Sequence, residues 1–149
     1  MRPKSWLNRM LLMSLGIPES SPPAICLDVV KCGRPDSQWV KLNVDGSALN
    51  NPGSCGGGGI CRREDGNMIF AFSSGYGQGS NNSAEFFSIY KGLSICVRLG
   101  LRQVLVESDS KMVVDLINGV SQGGWKWSHW LARIATLTNL GSFHFSHIL

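Results

Sequence analysis

At 149 residues the chain has room for one domain with a real core, and not comfortably for two. Hydrophobic residues make up 43% and charged residues 16%, which excludes a disordered polyelectrolyte; the net charge of +4 is compatible with a polyanionic partner without predicting one. Five cysteines (Cys26, Cys32, Cys55, Cys61 and Cys96) form no C-x-x-C pair, so their spacing suits neither a zinc site nor a disulfide framework and reads as free thiols in a reducing compartment.

The first 38 residues read as a poorly ordered tail or linker. Pro3, Pro18, Pro22, Pro23 and Pro35 interrupt any long helix, leaving room for a short one near Trp6 to Leu15. Arg2, Lys4 and Arg9 precede the apolar run Met10 to Ile17, a weak likeness to a targeting peptide, but Gly16 interrupts the run and no clean cleavage site follows. An intracellular chain, nuclear or cytoplasmic, is the favoured expectation, with targeting as the alternative. No apolar run reaches the roughly 18 residues of a membrane span, so no membrane partner is expected.

Ordered structure is predicted from Trp39 onward. Val40, Leu42 and Val44 alternate with polar residues as a strand ending near Asp45. Residues 46–53 read as a turn with an Asn51-Pro52-Gly53 corner. Gly56 to Arg63 makes a glycine-weakened second strand, Asp65-Gly66 a hairpin turn, and Asn67 to Ser73 the returning strand, closed by a glycine-rich loop over residues 75–82. Phe86, Ile89, Tyr90, Leu93 and Val97 then recur at helical spacing, with Asn82 or Ser83 as cap and Gly100 as stop. Gln103 to Glu107 is a buried-type strand. A helix from about Ser110 to Ile117 and another from Trp125 to Asn139 follow, and Phe143, Phe145 and His147 alternate as a last strand. Short connections make the first three strands antiparallel, and helical crossovers make the later ones parallel. The result is a mixed α/β domain over residues 39–149.

Three acids stand where catalytic groups of α/β sheets gather, at strand ends and a helix start: Asp45, Glu85 and Asp109. Each has a plain structural explanation, Glu85 as a first-turn acid favoured by the helix dipole and Asp109 as an N-cap. If the first and fourth strands are neighbours, however, the three converge and need a cation. A donor set of hard oxygens without His or Cys favours Mg²⁺ or Mn²⁺ over zinc. Two such ions about 4 Å apart suit phosphodiester cleavage.

The neighbouring motifs weaken the plain structural explanations. Val44-Asp45-Gly46-Ser47, Asn51-Pro52-Gly53, Gly56-Gly57-Gly58-Gly59-Ile60, Asn81-Asn82-Ser83-Ala84-Glu85 and Glu107-Ser108-Asp109-Ser110 arrive in order. Together they resemble ribonuclease H of type 1, in particular the ribonuclease H-like domain common in plant genomes and related to retroelement reverse transcriptases. The resemblance covers about Trp39 to Leu149. It implies a five-stranded mixed sheet in order 3-2-1-4-5 with helices on its faces, and a nuclease acting on the RNA strand of RNA–DNA hybrids by a two-metal mechanism. It places Asp45, Glu85 and Asp109 as metal-binding and catalytic acids, three of the family's four. It places Asn51, Asn81 and Asn82 as nucleic-acid-binding residues that read 2′-hydroxyls, since an amide can donate to and accept from a 2′-OH. Turn chemistry is the competing explanation for Asn51.

The sequence departs from the family pattern in three places. The fourth acid belongs to a helix after the last strand, beyond Leu149, so the last helix is expected to be missing. His147 lies on the strand by pattern and does not take the role of the family's loop histidine. Ser83 stands where many relatives carry a basic side chain. The tryptophans of Trp125-Lys126-Trp127-Ser128-His129-Trp130 read as core more than as base-stacking platforms. Two further readings therefore stand beside the enzyme: a non-catalytic nucleic-acid-binding module or decayed retroelement fragment, and a generic α/β domain whose acids are structural.

Overall fold

The computed structural model describes residues 38–149. Apart from Gln38, the tail expected over the first 38 residues lies outside the described residues, as do the targeting likeness and two of the cysteines. The elements are β1 (Val40–Ala48), β2 (Gly53–Arg62), β3 (Met68–Gly79), α1 (Asn81–Arg98), β4 (Gln103–Ser108), α2 (Lys111–Ile117), a 3₁₀ turn (Trp125–Trp127), α3 (Ser128–Thr138) and β5 (Ser142–His147). The five strands form one sheet in the order β3-β2-β1-β4-β5. β1–β2 and β2–β3 pair antiparallel, β1–β4 and β4–β5 parallel.

One face of this sheet carries the core. Leu42 and Val44 of β1, Cys61 of β2, and Val104 and Val106 of β4 pack with Phe86, Ile89, Leu93 and Cys96 of α1, all buried. Helical period on α1 and period two on the strands put these apolar sets in register. Each fully buried Phe, Ile or Leu contributes about 1.5–3 kcal/mol relative to exposure. Trp130 and Ile134 of α3 extend the cluster; the Trp130 ring lies 4.3 Å from Phe87 and 6.4 Å from Phe86. The core reading of the tryptophans holds for Trp130 and half-buried Trp127 but not for Trp125, which is 90% exposed.

Several boundaries differ from the sequence reading, each for a local reason. β1 continues past Asp45 because Gly46, Ser47 and Ala48 pair with Gly57, Gly56 and Cys55. The turn expected over residues 46–53 therefore shrinks to residues 49–52, where Asn50, not Asn51, takes the left-handed conformation (φ 62°) and the Asn51–Pro52 peptide is cis. β3 runs to Gly79, its glycine-rich end held against β2 across a register shift at Cys55/Gly56. α1 starts earlier than expected. Its cap is Ser80, whose Oγ accepts from the Ser83 N–H (3.2 Å) while Ser83 Oγ accepts from the Ser80 N–H (2.7 Å). This is a capping box with serine standing in for the usual Glu or Gln. The start of the expected third helix tightens into the 3₁₀ turn over Trp125–Trp127.

Two glycines set how closely α1 approaches the sheet. A Cβ on Gly46 would lie 2.5 Å from the Ala84 carbonyl and 2.7 Å from the Glu85 nitrogen, and one on Gly57 would lie 2.1 Å from Ser88 Oγ and 2.4 Å from the Asp45 carbonyl oxygen. Gly75, by contrast, has open space where a Cβ would go. We expect Gly46→Ala to lower stability by about 2 kcal/mol or more, as overpacking against backbone does. Gly75→Ala should stay within about 0.5 kcal/mol of the parent. Urea midpoints of the two variants measure the difference, and equal midpoints would mean that α1 is free to move away from β1.

Candidate metal and nucleic-acid site

The end of the sheet brings the three predicted acids together. β1 and β4 are parallel neighbours, with Val44 opposite Ser108, so Asp45 on β1 and Asp109 just past the end of β4 follow at the same level. Glu85 reaches the same point from α1, through the space Gly46 leaves open. One carboxylate oxygen from each of Asp45, Glu85 and Asp109 lies within 4.8 Å of the others. Asp45 and Asp109 are exposed; Glu85 is 3% exposed.

Glu85 is not the first-turn acid that its place near the helix start suggested. With Ser80 as cap it falls in the second turn and points into the protein. Its Oε1 accepts from the Gly46 N–H at 2.7 Å, and its Oε2 from the Ser108 hydroxyl at 2.9 Å. Burial pushes its pKa up from the ordinary 4.5 to about 7. The two hydrogen bonds oppose that rise, and the negative charges of Asp109 and Asp45 add to it. Nor is Asp109 an N-cap: Ser110 caps α2, its Oγ accepting from the Val113 N–H at 3.4 Å.

Glu107, the other acid of the Glu107-Ser108-Asp109 motif, is directed elsewhere. Its Oε1 accepts from Lys41 Nζ at 2.7 Å and its Oε2 from Asn43 Nδ2 at 2.8 Å. Lys41 is itself 7% exposed, so this is a largely desolvated pair. Sequence reasoning gave no role to Lys41, Asn43 or Ser108. The signal for Lys41 and Asn43 was present in the strand period, which sets them on the same face of β1 as Asp45.

The chemistry of this donor set fits a hard divalent cation. Mg²⁺ holds oxygens at about 2.0–2.1 Å, so two ligands of one ion stand no more than about 4.2 Å apart. The 4.8 Å spread lies within about 1 Å of that limit, and the two aspartates that would turn to close it are exposed. Beside them an open groove is lined by Asn43, Ser47, Gly58, Ile60 and Ile148.

The predicted asparagines lie at one corner, where they first serve the fold. Asn51 Oδ1 accepts from the Asn81 N–H (2.9 Å), and Asn81 Oδ1 accepts from the Ala48 N–H (2.7 Å), tying the β1–β2 hairpin to the start of α1. Both residues are exposed, and Asn82 is half-buried with no side-chain hydrogen bond among the described residues. His129 and His144 are exposed, the latter edge-on to Trp39 at 4.9 Å. No helix among the described residues is long and apolar enough to cross a membrane.

Comparison with known proteins gives one consistent picture. Residues 43–149 match the reverse transcriptase-like family. A candidate ribonuclease H protein of Arabidopsis thaliana is 32% identical over 108 residues, 64% of this chain and 17% of that protein. A bifunctional protein of Mycobacterium tuberculosis is 34% identical over 91 residues, 60% of this chain and 24% of that one. The chain thus spans about a fifth of the length of these relatives. Among solved structures, the RNase H1 of Halobacterium salinarum superposes with a TM-score of 0.71 at 20% identity, covering 74% of this chain and 85% of that one. LC11-RNase H1, solved in complex with an RNA/DNA hybrid, superposes with a TM-score of 0.69 at 27% identity, covering 73% and 84%.

The raised pKa of Glu85 carries a stability consequence with a definite sign. Between pH 4.5 and about 7 the folded chain holds a proton that the unfolded chain releases. The contribution is therefore fully favourable below the ordinary value and falls as pH rises through about 7, by on the order of 3 kcal/mol. We expect metal-free stability in EDTA to decline from pH 5 to pH 8, and Glu85→Gln, which keeps an acceptor for the Gly46 N–H, to flatten that decline. Denaturant midpoints across this range check it; parallel curves for the two proteins would show that Glu85 titrates normally.

Proposed function

The chain belongs to the reverse transcriptase-like family and carries a ribonuclease H-like domain, and from that premise we propose that residues 39–149 bind RNA–DNA hybrids and serve hydrolysis of the RNA strand. The observation that carries this reading is the convergence of Asp45, Glu85 and Asp109 within 4.8 Å at the end of the sheet. The hybrid-bound relative LC11-RNase H1 supports the substrate class. The Arabidopsis relative supports a place among plant ribonuclease H-like domains, and the family match supports a relation to reverse transcriptases.

Asp45, Glu85 and Asp109 would hold Mg²⁺ or Mn²⁺. Bound divalent cations supply a more acidic water and neutralise charge on the leaving oxygen in phosphodiester cleavage. The protein's own contribution is placement. Glu85 is fixed by two hydrogen bonds, and Asp45 and Asp109 present exposed carboxylates at the mouth of the groove. Asn82, with its amide unengaged by the fold, is the best placed of the three asparagines to meet a 2′-hydroxyl; Asn51 and Asn81 have their oxygens committed and offer their Nδ2 donors.

A second reading rests on a specific count: among the described residues the cluster has three acids where the family pattern has four. Such a site binds hybrid, and cleaves it only when a fourth carboxylate completes the ligand set, since Mg²⁺ demands near-ideal octahedral geometry. Incubation of the chain with labelled hybrid in Mg²⁺, Mn²⁺ or EDTA separates the two. Cation-dependent cleavage that Asp45→Asn abolishes supports the enzyme; cation-dependent binding without cleavage supports the binding module. Neither result in the presence of a folded chain sinks both.

Selectivity gives an independent test. We expect Asn82→Ala to weaken binding to RNA–DNA hybrid several-fold more than binding to duplex DNA of the same sequence, because only the hybrid offers 2′-hydroxyls. Asn81→Ala should weaken both and lower stability, since it also frees the Ala48 N–H. Equal weakening of both duplexes by Asn82→Ala would leave that residue a role in loop shape alone.

A further inference from the structure

The backbone on either side of Asp109 is held by three hydrogen bonds that its role as a ligand does not by itself require. The Ser110 N–H donates to Ser108 Oγ at 3.1 Å. The carbonyl oxygen of Asp109 lies 3.1 Å from His147 Nε2, on the end of β5. The carbonyl oxygen of Ser108 accepts from the Ile148 N–H at 3.0 Å. The Ser108 hydroxyl that accepts from Ser110 also donates to Glu85 Oε2 at 2.9 Å, and Ser108 is completely buried. A single hydroxyl thus spans the buried acid and the turn that carries the exposed one.

We propose that Ser108 and His147 are positioning residues of this site, a clasp that fixes Asp109 relative to Glu85. The proposal rests on the reading of the three acids as cation ligands. Without the clasp, Asp109 would sit on an ordinary strand-to-helix connection with its peptide groups free to reorient, and the carboxylate would swing with them. Ser108 sets the distance between two ligands by touching one directly and the other through the Ser110 amide. His147 locks the peptide that follows Asp109. The carbonyl oxygen can only accept, so the imidazole carries its hydrogen on Nε2 and donates it. His147 also gains a role that the loop histidine of the family does not have: it acts on the backbone of a ligand and not on the reacting groups. Outer partners of this kind typically govern affinity by about 10–100-fold.

The test is Mn²⁺ affinity of the full 149-residue chain, read by electron paramagnetic resonance of the free ion, at a temperature where melting curves show every variant folded. Ser108→Ala and His147→Ala should each weaken Mn²⁺ binding about 10-fold or more. His147→Gln, whose amide nitrogen can donate to the same carbonyl, should recover most of the loss. His144→Ala, on the same strand but directed to Trp39, should leave affinity unchanged even if it lowers the melting temperature. Wild-type affinity in Ser108→Ala and His147→Ala overturns the clasp and leaves the metal site standing. Equal weakening by His144→Ala, or failure of His147→Gln to do better than His147→Ala, reduces the effect to general loosening of β5 and also overturns it. If the parent chain binds no Mn²⁺ and Asp45→Asn does not alter that, the reading of the acids and the clasp fall together.

Discussion

The structure turns on the insertion of one carboxylate, Glu85, between the ends of two parallel strands. A buried carboxylate is costly unless its lone pairs are met, and here one oxygen is met by the Gly46 N–H and the other by the Ser108 hydroxyl. That arrangement demands contact between α1 and β1 that no side chain on residue 46 or 57 would permit. Ser88, also fully buried, holds the helix at that distance, its hydroxyl lying 3.0 Å from the Asp45 carbonyl oxygen and 2.9 Å from that of Ala84. The glycine run that weakens β2 as a strand is thus the same feature that admits the helix. Backbone propensity is given up where the site needs close approach, and it is recovered by the apolar cluster farther along α1.

Charge is sorted at this end of the sheet with equal economy. Strand alternation sets Lys41, Asn43 and Asp45 of β1 on one face, beside Glu107 of β4 and Asp109 just past its end. Four acids would then crowd one region. Lys41 and Asn43 take up Glu107, so three remain to share a cation. The assignment follows from register: Asn43 is opposite Glu107, one step before the β1–β4 pairing ends, while Asp45 and Asp109 line the opening beyond it. Moving the pair by one residue would turn every one of these side chains to the helix-covered face.

Much of this was legible in the chain itself. The strands, the three acids and the helical core face follow from periodicity and from position, because those signals are written in side-chain type, and the sheet order is what the resemblance carried by the ordered motifs implies. What was not legible depends on backbone partners. The turn after β1 was read too long because Gly46, Ser47 and Ala48 look like turn residues, yet they pair with an equally glycine-rich partner strand. The cap of α1 was placed too late because the capping box uses two serines, Ser80 and Ser83, and no acid. That shift moved Glu85 from the first turn to a buried second one, which changes its chemistry more than its location. Ser108 was hidden for a similar reason: between two acids it reads as spacer, and only the fold shows that its hydroxyl reaches Glu85.

The site therefore combines one ligand that cannot move with two that can. Glu85 is locked by burial and two hydrogen bonds, and its proton is held up to about pH 7 while no cation competes for it. Asp45 and Asp109 are exposed, so their carboxylates turn cheaply in water. A fully rigid set of three would repel itself in the absence of a cation, and a fully mobile set would lose more conformational entropy on binding one. Anchoring the buried member and holding only the backbone of an exposed one limits both costs. It also explains why the binding groups sit where the β1–β4 ladder ends: pairing of these two strands stops at Val44 and Ser108, and the next residue on each carries a carboxylate into the opening, with Asp45 still held on its other side by Gly58 of β2.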